Sequence, residues 1–310
     1  MGETLPRYRS VIADSARWDG FKFRDDDIII STPPKCGTTW MQMICALLIF
    51  QDPALPAPLT DLSPWLDMQT KGVADVFAQL AAQQHRRFIK THTPLDGIPF
   101  DDRVTYICVG RDPRDVALSW DNHFANMNFE VIMGARAAAV GLDDLAELAP
   151  EGMPQPLEDP VERFWQWVED DAAPTVSFAS LKGTLHHLGT FWDQRDACNI
   201  VLFHYADLKA DLQGEMGRLA ATLGIVIDPA RWPALVSAAT FDSMRERADR
   251  LAPVVTIDGF WRDNRRFFNQ GSSDQWRSFI NEEDLARYEA RVKELAPPDL
   301  AAWAHHKDSR

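Results

Sequence analysis

Short apolar runs along the chain are each followed by a turn and then by apolar residues at helical spacing. Residues 26–30 form the first run, which Gly37 and two prolines end before a helical face that begins at Met41. Residues 104–109 and 199–205 repeat this plan further along the chain. Apolar runs of this length, punctuated by Gly and Pro and alternating with a 3.6-residue period, predict strands that alternate with helices.

This alternation predicts the fold class. Strands joined through helices run parallel, and helices then cover both faces of their sheet. No repeat or Gly/Ser linker divides the chain, so we expect one α/β domain over residues 1–310 with a central, mainly parallel sheet. Ligands of such sheets bind at the carboxyl ends of the strands, which places the turns at 31–40 and 110–115 beside the site.

Composition narrows the function. The 310 residues are 45% hydrophobic and 25% charged, which is ordinary for a globular protein. The formal net charge of -14 disfavours nucleic acid as a partner, because the overall field repels polyanions. Basic residues nevertheless outnumber acidic ones between Arg86 and Arg114, which predicts a local pocket for a small anion.

Neither a membrane span nor a metal site is predicted. The apolar stretch at 44–50 is far shorter than the roughly 18 residues of a membrane span, and the first residues lack the pattern of a signal peptide. We therefore expect a cytoplasmic location. The four cysteines and eight histidines show no ligand spacing, so no metal is expected.

The segment 31–40 carries the first chemical motif. Its residues PKCGTTW follow a predicted strand, so the N–H groups of Cys36 to Thr39 and the positive end of a helix converge with the Lys35 side chain. Such a turn should hold a phosphate. The GxxxxGK[ST] pattern of nucleoside-triphosphate sites is absent, because no leading glycine is present and the lysine precedes Gly37.

The same residues resemble the PKSGTTW loop by which cytosolic sulfotransferases hold the 5′-phosphosulfate of 3′-phosphoadenosine 5′-phosphosulfate (PAPS). Three further segments follow in the family's order: residues 87–94, 106–120 and 267–276. The first is similar to the family's catalytic strand, the second to its 3′-phosphate segment, and the third to its C-terminal glycine segment. In the third, Asn269 and Gln270 stand where the family normally has Arg and Lys.

The resemblance implies roles for individual residues. PAPS is expected as the donor, with three catalytic residues: Lys35, Lys90 and His92. The residues implied in donor binding are Lys35, Cys36, Gly37, Thr38, Thr39, Trp40, Arg111, Ser119, Tyr205, Phe241, Asn269, Gln270 and Gly271. The family's dimer motif is absent after Trp276, so no oligomeric state is implied.

The chemistry of sulfuryl transfer fits these residue types. A base must take the proton of the acceptor, and positive charge must stabilise the oxygen that leaves sulfur. His92 suits the first task and Lys35, assisted by Lys90, the second. The acceptor is expected to be a small molecule with a hydroxyl, phenol or amine, bound by segments such as 61–81, 124–171 and 252–268.

Two other functions stay open at this point. A nucleotide-dependent kinase with an atypical phosphate loop would share the turn at 31–40, and so would a nucleotide-binding module without turnover. The retention of both Lys35 and His92 favours an enzyme over the module.

Overall fold

Four short strands form one parallel sheet at the centre of the protein. The computed structural model describes residues 4–149, 157–254, 256–269 and 271–306. The strands are β1 (Ile28–Ser31), β2 (Phe88–Thr91), β3 (Thr105–Gly110) and β4 (Ile200–His204). Their order in the sheet is β2-β1-β3-β4, and each neighbouring pair is parallel. The first strand in sequence therefore lies in the middle of the sheet.

Helices connect the strands and cover both faces. They are α1 (Thr38–Phe50), α2 (Leu59–Leu62), α3 (Val73–Ala82), α4 (Pro113–Asn126), α5 (Phe129–Val140), α6 (Leu145–Leu148), α7 (Pro160–Glu169), α8 (Leu181–Trp192), α9 (Tyr205–Ala210), α10 (Leu212–Thr222), α11 (Trp232–Ala238), α12 (Phe241–Glu246), α13 (Ala248–Leu251), α14 (Asn264–Phe267), α15 (Glu282–Leu295) and α16 (Pro298–Ala304). Three 3₁₀ turns occupy Ser15–Trp18, Leu95–Gly97 and Gln275–Ser278.

The sheet divides the apolar interior into two layers, and its inner strand β1 contributes side chains to both. Side chains alternate along a strand, so Ile28 and Ile30 pack into the layer that contains α1 and α10, whereas Ile29 packs into the layer that contains α7, α8 and α15. All three isoleucines are fully buried. Burial on both faces explains why the sequence shows a continuous apolar run here instead of an alternating one.

The predicted α/β domain with a parallel sheet between helices is confirmed. The expected strands at 26–30, 104–109 and 199–205 correspond to β1, β3 and β4 within two residues at either end. In the described part of the chain, no helix has the length and apolar character needed to cross a bilayer. The cytoplasmic location and the extent of the domain over residues 1–310 stay predictions.

Candidate active site

The carboxyl ends of the four strands open into one cleft. Each strand delivers side chains to it at or just beyond its carboxyl end: Lys35 after β1, Lys90 and His92 at the end of β2, Arg111 after β3, and Tyr205 after β4. The shared direction of the strands brings these distant segments together, as the sequence predicted for a parallel sheet.

Most of the predicted site residues line this cleft. They are Lys35, Gly37, Thr38, Thr39, Trp40, Lys90, His92, Arg111, Ser119, Tyr205, Phe241, Asn269 and Gly271. Gln270 lies outside the described residues. None of the described lining residues is an aspartate or glutamate, whereas Lys35, Lys90, Arg111 and Arg266 all line the cleft. The cleft is therefore a positive pocket in an acidic protein, which suits an anion.

The turn between β1 and α1 is shaped to present backbone N–H groups. Lys35 and Gly37 have φ angles of 69° and 103°, both in the left-handed region. Gly37 precedes the first residue of α1, and no side chain caps the helix there. A Cβ atom at Gly37 would lie 3.1 Å from the Tyr205 ring, so the position also needs a small residue. An uncapped helix N-terminus at a cleft is a site for an anion.

The thiol of Cys36 lies apart from the cleft, so the predicted contact of this residue falls to its backbone N–H, which stays a prediction. Its side chain is fully buried in the layer of the core that includes Ile29 and Cys108, and it does not line the cleft. Because its neighbours on both sides have left-handed backbone, the turn directs the thiol away from Lys35 and toward the core. Burial also raises the pKa of the thiol to about 12, so it carries no charge. Only the backbone of Cys36 is left for ligand contact.

Lys35 projects into the cleft, and no carboxylate in the described part of the chain pairs with it. Among the described residues, its Nζ lies 3.1 Å from His123 Nδ1 and 4.6 Å from the centroid of the Phe267 ring. Burial, followed by the positive charges of Arg111 and Lys90, lowers the pKa of Lys35 to about 7. An anion in the cleft would relieve this shift, because it would stabilise the ammonium form.

Lys90 and His92 stand beside Trp65 at the end of β2. The Lys90 Nζ lies 4.1 Å from the centroid of the Trp65 ring. The His92 and Trp65 rings are nearly perpendicular, with their centroids 4.9 Å apart. His92 Nδ1 lies 2.7 Å from the Thr32 carbonyl oxygen, which can only accept, so Nδ1 must donate its proton there. His92 Nε2 is thereby left as an unprotonated base. Burial lowers the pKa of His92 well below its usual value, which keeps that base neutral.

Asp67 fixes the strand end that carries these residues. Its Oδ2 accepts hydrogen bonds from the hydroxyls of Thr91 and Thr93, the neighbours of His92 on either side. The carboxylate is 1% exposed, and its burial raises its pKa. Side chains alternate across a strand, so the two threonines point to Asp67 while Lys90 and His92 reach the cleft. Sequence analysis missed Asp67, since nothing along the chain links it to β2.

Arg111 ties the turn after β1 to the C-terminal segment. Its guanidinium donates hydrogen bonds to the carbonyl oxygens of Lys35, at 3.0 Å, and Ser272, at 3.2 Å, and it stacks 4.5 Å from the centroid of the Tyr205 ring. Its buried Nε has no hydrogen-bond partner among the described residues. Ser119 lines the same cleft from α4. A cation held with spare hydrogen-bonding capacity is suited to a phosphate.

Aromatic side chains form the end of the cleft beyond Arg111. Trp40 packs edge-on against Tyr205 with centroids 5.3 Å apart, and its indole N–H donates to the Ala239 carbonyl at 2.8 Å. Phe241 lies against Gly271, where an added Cβ would come within 2.6 Å of its ring. Gly271 has a φ of 61°, so both its conformation and its close packing require glycine. The residues predicted to hold the adenine, Trp40, Tyr205 and Phe241, thus all line the same cleft.

The C-terminal segment brings the guanidinium of Arg266 to the cleft. The sequence did not show which basic residue would replace the charge missing at Asn269 and Gln270. Asn269 lines the cleft and so does Arg266, whose helix α14 precedes it. Arg277 instead pairs with Asp274 and stacks on Trp276. Arg266 is thus placed to supply part of the charge that Asn269 does not.

The aromatic wall of the cleft contains three residues from the expected acceptor segments, Trp65, Trp261 and Phe267, and three that were not assigned to the site. It consists of Trp65, Trp120, His123, Phe178, Trp261 and Phe267. Of the expected acceptor segments, 61–81 contributes Trp65, while Met68 is buried in the core instead and Phe77 packs against Phe21. In the acidic stretch 141–160, residues 150–156 lie outside the described residues and the others do not line the cleft. His123 lies four residues, about one helical turn, after Ser119, so the sequence could have placed it on the same face of α4 as this predicted site residue.

One group of potential metal ligands lies outside the cleft lining. His204, Asp207 and His306 come together beyond the end of β4. Both ring nitrogens of His204 are already engaged, one with the Ala206 N–H and the other with the Ala304 carbonyl. His204 therefore has no lone pair to offer an ion in this arrangement.

A parallel sheet whose strand ends surround a positive cleft, with an uncapped helix pointing into it, defines a protein that binds a phosphorylated ligand. A more specific identity comes from comparison with known proteins. The model of the sulfotransferase domain family matches residues 25–297, and the chain belongs to this family.

Curated relatives and solved structures agree with this assignment. The glycolipid sulfotransferase of Mycobacterium bovis (strain BCG / Pasteur 1173P2) is 48% identical over 306 residues, which cover 96% of this chain and 93% of the relative. Human sulfotransferase 2A1 is 24% identical over 297 residues, which cover 92% of this chain and 90% of the relative. The crystal structure of mouse sulfotransferase SULT7A1 complexed with PAP has a TM-score of 0.68 at 17% identity, covering 94% and 91%. The crystal structure of retinol dehydratase in a complex with retinol and PAP also has a TM-score of 0.68. Its sequence identity is 19%, and the match covers 90% of this chain and 84% of that one.

The predicted family and enzyme class are therefore confirmed. The 48% identity across nearly the whole chain supports a sulfotransferase. The two alternatives, a kinase with an atypical loop and a binding module without turnover, are not favoured.

Proposed function

We propose that this protein transfers the sulfuryl group of PAPS to a hydroxyl of a glycolipid. The observation that carries the proposal is the convergence of Lys35, Lys90, His92 and Arg111 on one cleft at the uncapped start of α1. Sulfuryl transfer needs positive charge to stabilise the dianionic leaving group and a base to take the proton of the acceptor. Lys35, Lys90 and Arg111 supply the charge, and His92 supplies the base.

The features of the cleft suit each part of the donor. The turn at Lys35 to Thr39 offers a cation and helix N–H groups to the 5′-phosphosulfate. Arg111 and Ser119 offer charge and a hydroxyl to the 3′-phosphate, with Arg266 adding charge nearby. Trp40 and Phe241 offer aromatic faces to the adenine. No described lining residue carries a negative charge that would oppose the phosphates.

The reaction follows from the placement of the base and the cations. As the acceptor oxygen forms its bond to sulfur, its proton passes to His92 Nε2, since Nδ1 is already donating to Thr32. The bond between sulfur and the bridging oxygen breaks, and the electron pair stays on the 5′-phosphate of adenosine 3′,5′-bisphosphate (PAP). Lys35, with Lys90 beside it, stabilises that charge.

A labelled-donor assay tests this function against its alternatives. The purified protein is incubated with a neutral glycolipid and either ³⁵S-labelled PAPS or γ-³²P-labelled ATP. We expect ³⁵S in the lipid product and no ³²P. Transfer of ³²P would establish a kinase instead, and tight binding of PAP without any transfer, across a broad set of acceptors, would establish a binding module.

The acceptor class rests on the aromatic wall and on the relatives. Trp65, Trp120, Phe178 and Trp261 give the cleft large apolar faces beside the base, and proteins named glycolipid sulfotransferase are 48% identical to this chain. We expect kcat/KM for a neutral glycolipid to exceed that for its free headgroup sugar by at least about tenfold, because acyl burial contributes binding energy. Equal kcat/KM for both compounds, or preference for a simple phenol, would contradict this acceptor class.

Donor affinity should depend on pH through the two lysines. Burial lowers the pKa of both Lys35 and Lys90 to about 7 in the empty cleft, where Arg111 faces Lys35 and Asp67 faces Lys90. A bound phosphate favours the ammonium, so binding takes up protons above pH 7 and affinity falls as the pH rises. From one titrating lysine we expect the Kd of PAP to rise about tenfold between pH 7 and 8.5.

Calorimetry at constant ionic strength checks this slope. The Lys35→Arg variant is the matched control: arginine keeps its charge over the whole range, so the slope due to Lys35 should disappear and only that due to Lys90 should remain. An equal Kd at pH 7 and 8.5 in the unmodified protein would contradict the assignment of these lysines to the phosphates.

A further inference from the structure

The inference concerns His123, which neither the family resemblance nor the proposed chemistry uses. It lies in the last turn of α4, one helical turn beyond Ser119, and it lines the cleft. Its ring is enclosed by aromatic neighbours, with centroids 4.7 Å from Trp261, 5.5 Å from Trp120 and 5.7 Å from Phe267. A polar ring in such surroundings needs a hydrogen-bond partner.

That partner is the ammonium of Lys35. His123 Nδ1 lies 3.1 Å from Lys35 Nζ. Among the described residues, Nζ makes no other hydrogen bond. Phe267 covers the same ammonium at 4.6 Å, so the lysine leans toward the aromatic wall. Burial and the charge of Lys35 lower the pKa of His123 well below its usual value, which leaves Nδ1 of the neutral ring free to accept.

We propose that His123 is a positioning residue that holds the Lys35 ammonium at the aromatic wall while no donor is bound, and that the donor must displace it. This inference rests on the proposed donor site. The ammonium has three N–H groups, so the competition is one of position: His123 and Phe267 hold Nζ at the aromatic wall, and a phosphate at the start of α1 would draw it away. His123 thus competes with the donor, and its loss destabilises the empty protein more than the loaded one.

The sign of the effect on affinity separates this role from a merely structural one. The His123→Phe variant keeps an aromatic ring but cannot accept a hydrogen bond. We expect it to bind PAP about three- to tenfold more tightly than the unmodified protein, because a contact to a charged group is removed from the empty state alone. A structural role would weaken PAP binding or leave it unchanged.

Two variants serve as controls. In His123→Asn the amide oxygen can replace Nδ1 as the acceptor, so we expect the PAP affinity to return toward that of the unmodified protein. Ala125→Ser changes a nearby exposed residue of α4 that does not line the cleft. It should leave the affinity within about twofold, because it removes no contact to a charged group. If His123→Phe fails to fold, His123→Leu makes the same test.

The experiment is calorimetric titration of PAP into each variant at pH 7, with melting temperatures recorded with and without PAP. We expect His123→Phe to melt lower than the unmodified protein when empty and to gain more from PAP. Unchanged or weaker PAP binding by a folded His123→Phe variant overturns this inference alone. Failure of the unmodified protein to bind PAP overturns the donor site, and the inference with it.

Discussion

Replacing His92 with asparagine is expected to lower kcat by a factor of about 10² to 10⁴, the usual contribution of a positioned general base. Asparagine can still donate a hydrogen bond to the Thr32 carbonyl, as His92 Nδ1 does, so the end of β2 should keep its shape. What it lacks is a basic nitrogen at the position of Nε2. The Kd of PAP should therefore change less than about threefold, since the base acts on the acceptor and not on the nucleotide.

Initial rates at saturating PAPS and glycolipid measure this effect, and calorimetry with PAP measures the binding term. His85→Ala is the matched control, because that imidazole bonds the backbone of Arg86 and does not line the cleft. We expect it to retain full kcat. A His92→Asn enzyme with the turnover of the unmodified protein would show that another group takes the proton.

Replacing Lys35 with methionine should damage binding and turnover together. Methionine keeps an unbranched stem of similar length but removes the charge from the point where the 5′-phosphate is proposed to bind. The lost charge-assisted contact should raise the Kd of PAP about 10- to 100-fold. Because the charge on the leaving oxygen grows during transfer, kcat should fall by a further factor of about 10² to 10³.

Lys71→Met provides the comparison for this variant. Lys71 is exposed and bonds Gln79, so its loss changes the net charge equally without touching the cleft. Equal losses in Lys35→Met and Lys71→Met would mean that only the overall charge matters. A normal kcat in Lys35→Met at saturating PAPS would remove this lysine from the reaction.

Sequence patterns predicted the parts of the site that depend on the order of elements along the chain. The runs at 26–30, 104–109 and 199–205 became adjacent strands because buried parallel strands are continuous apolar segments. That arrangement alone places Lys35, Arg111 and Tyr205 at one edge of the sheet. The sequence did not predict that Lys35 and Gly37 have left-handed backbone or that the Cys36 thiol is buried in the core.

The remaining parts depend on contacts between segments that no local pattern links. Asp67 reaches Thr91 and Thr93 only because residues 64–66 pair with β2 through Trp65 and Lys90, and nothing in the intervening helix predicts this. His123 lies in the helix that was predicted to follow residues 104–109, yet its contact with Lys35 requires the relative position of α4 and the turn after β1. Trp261 precedes the short helix α14 and Phe267 ends it, and both reach the site through packing against His123.

The crystal structure of the complex with PAP tests the central claim most directly. We expect the 5′-phosphate within hydrogen-bond distance of Lys35 Nζ and of N–H groups at the start of α1. The adenine ring should lie between Trp40 and Phe241, and the 3′-phosphate should lie at Arg111 and Ser119. A nucleotide bound elsewhere, or phosphates in the cleft that contact neither Lys35 nor the start of α1, would contradict this claim.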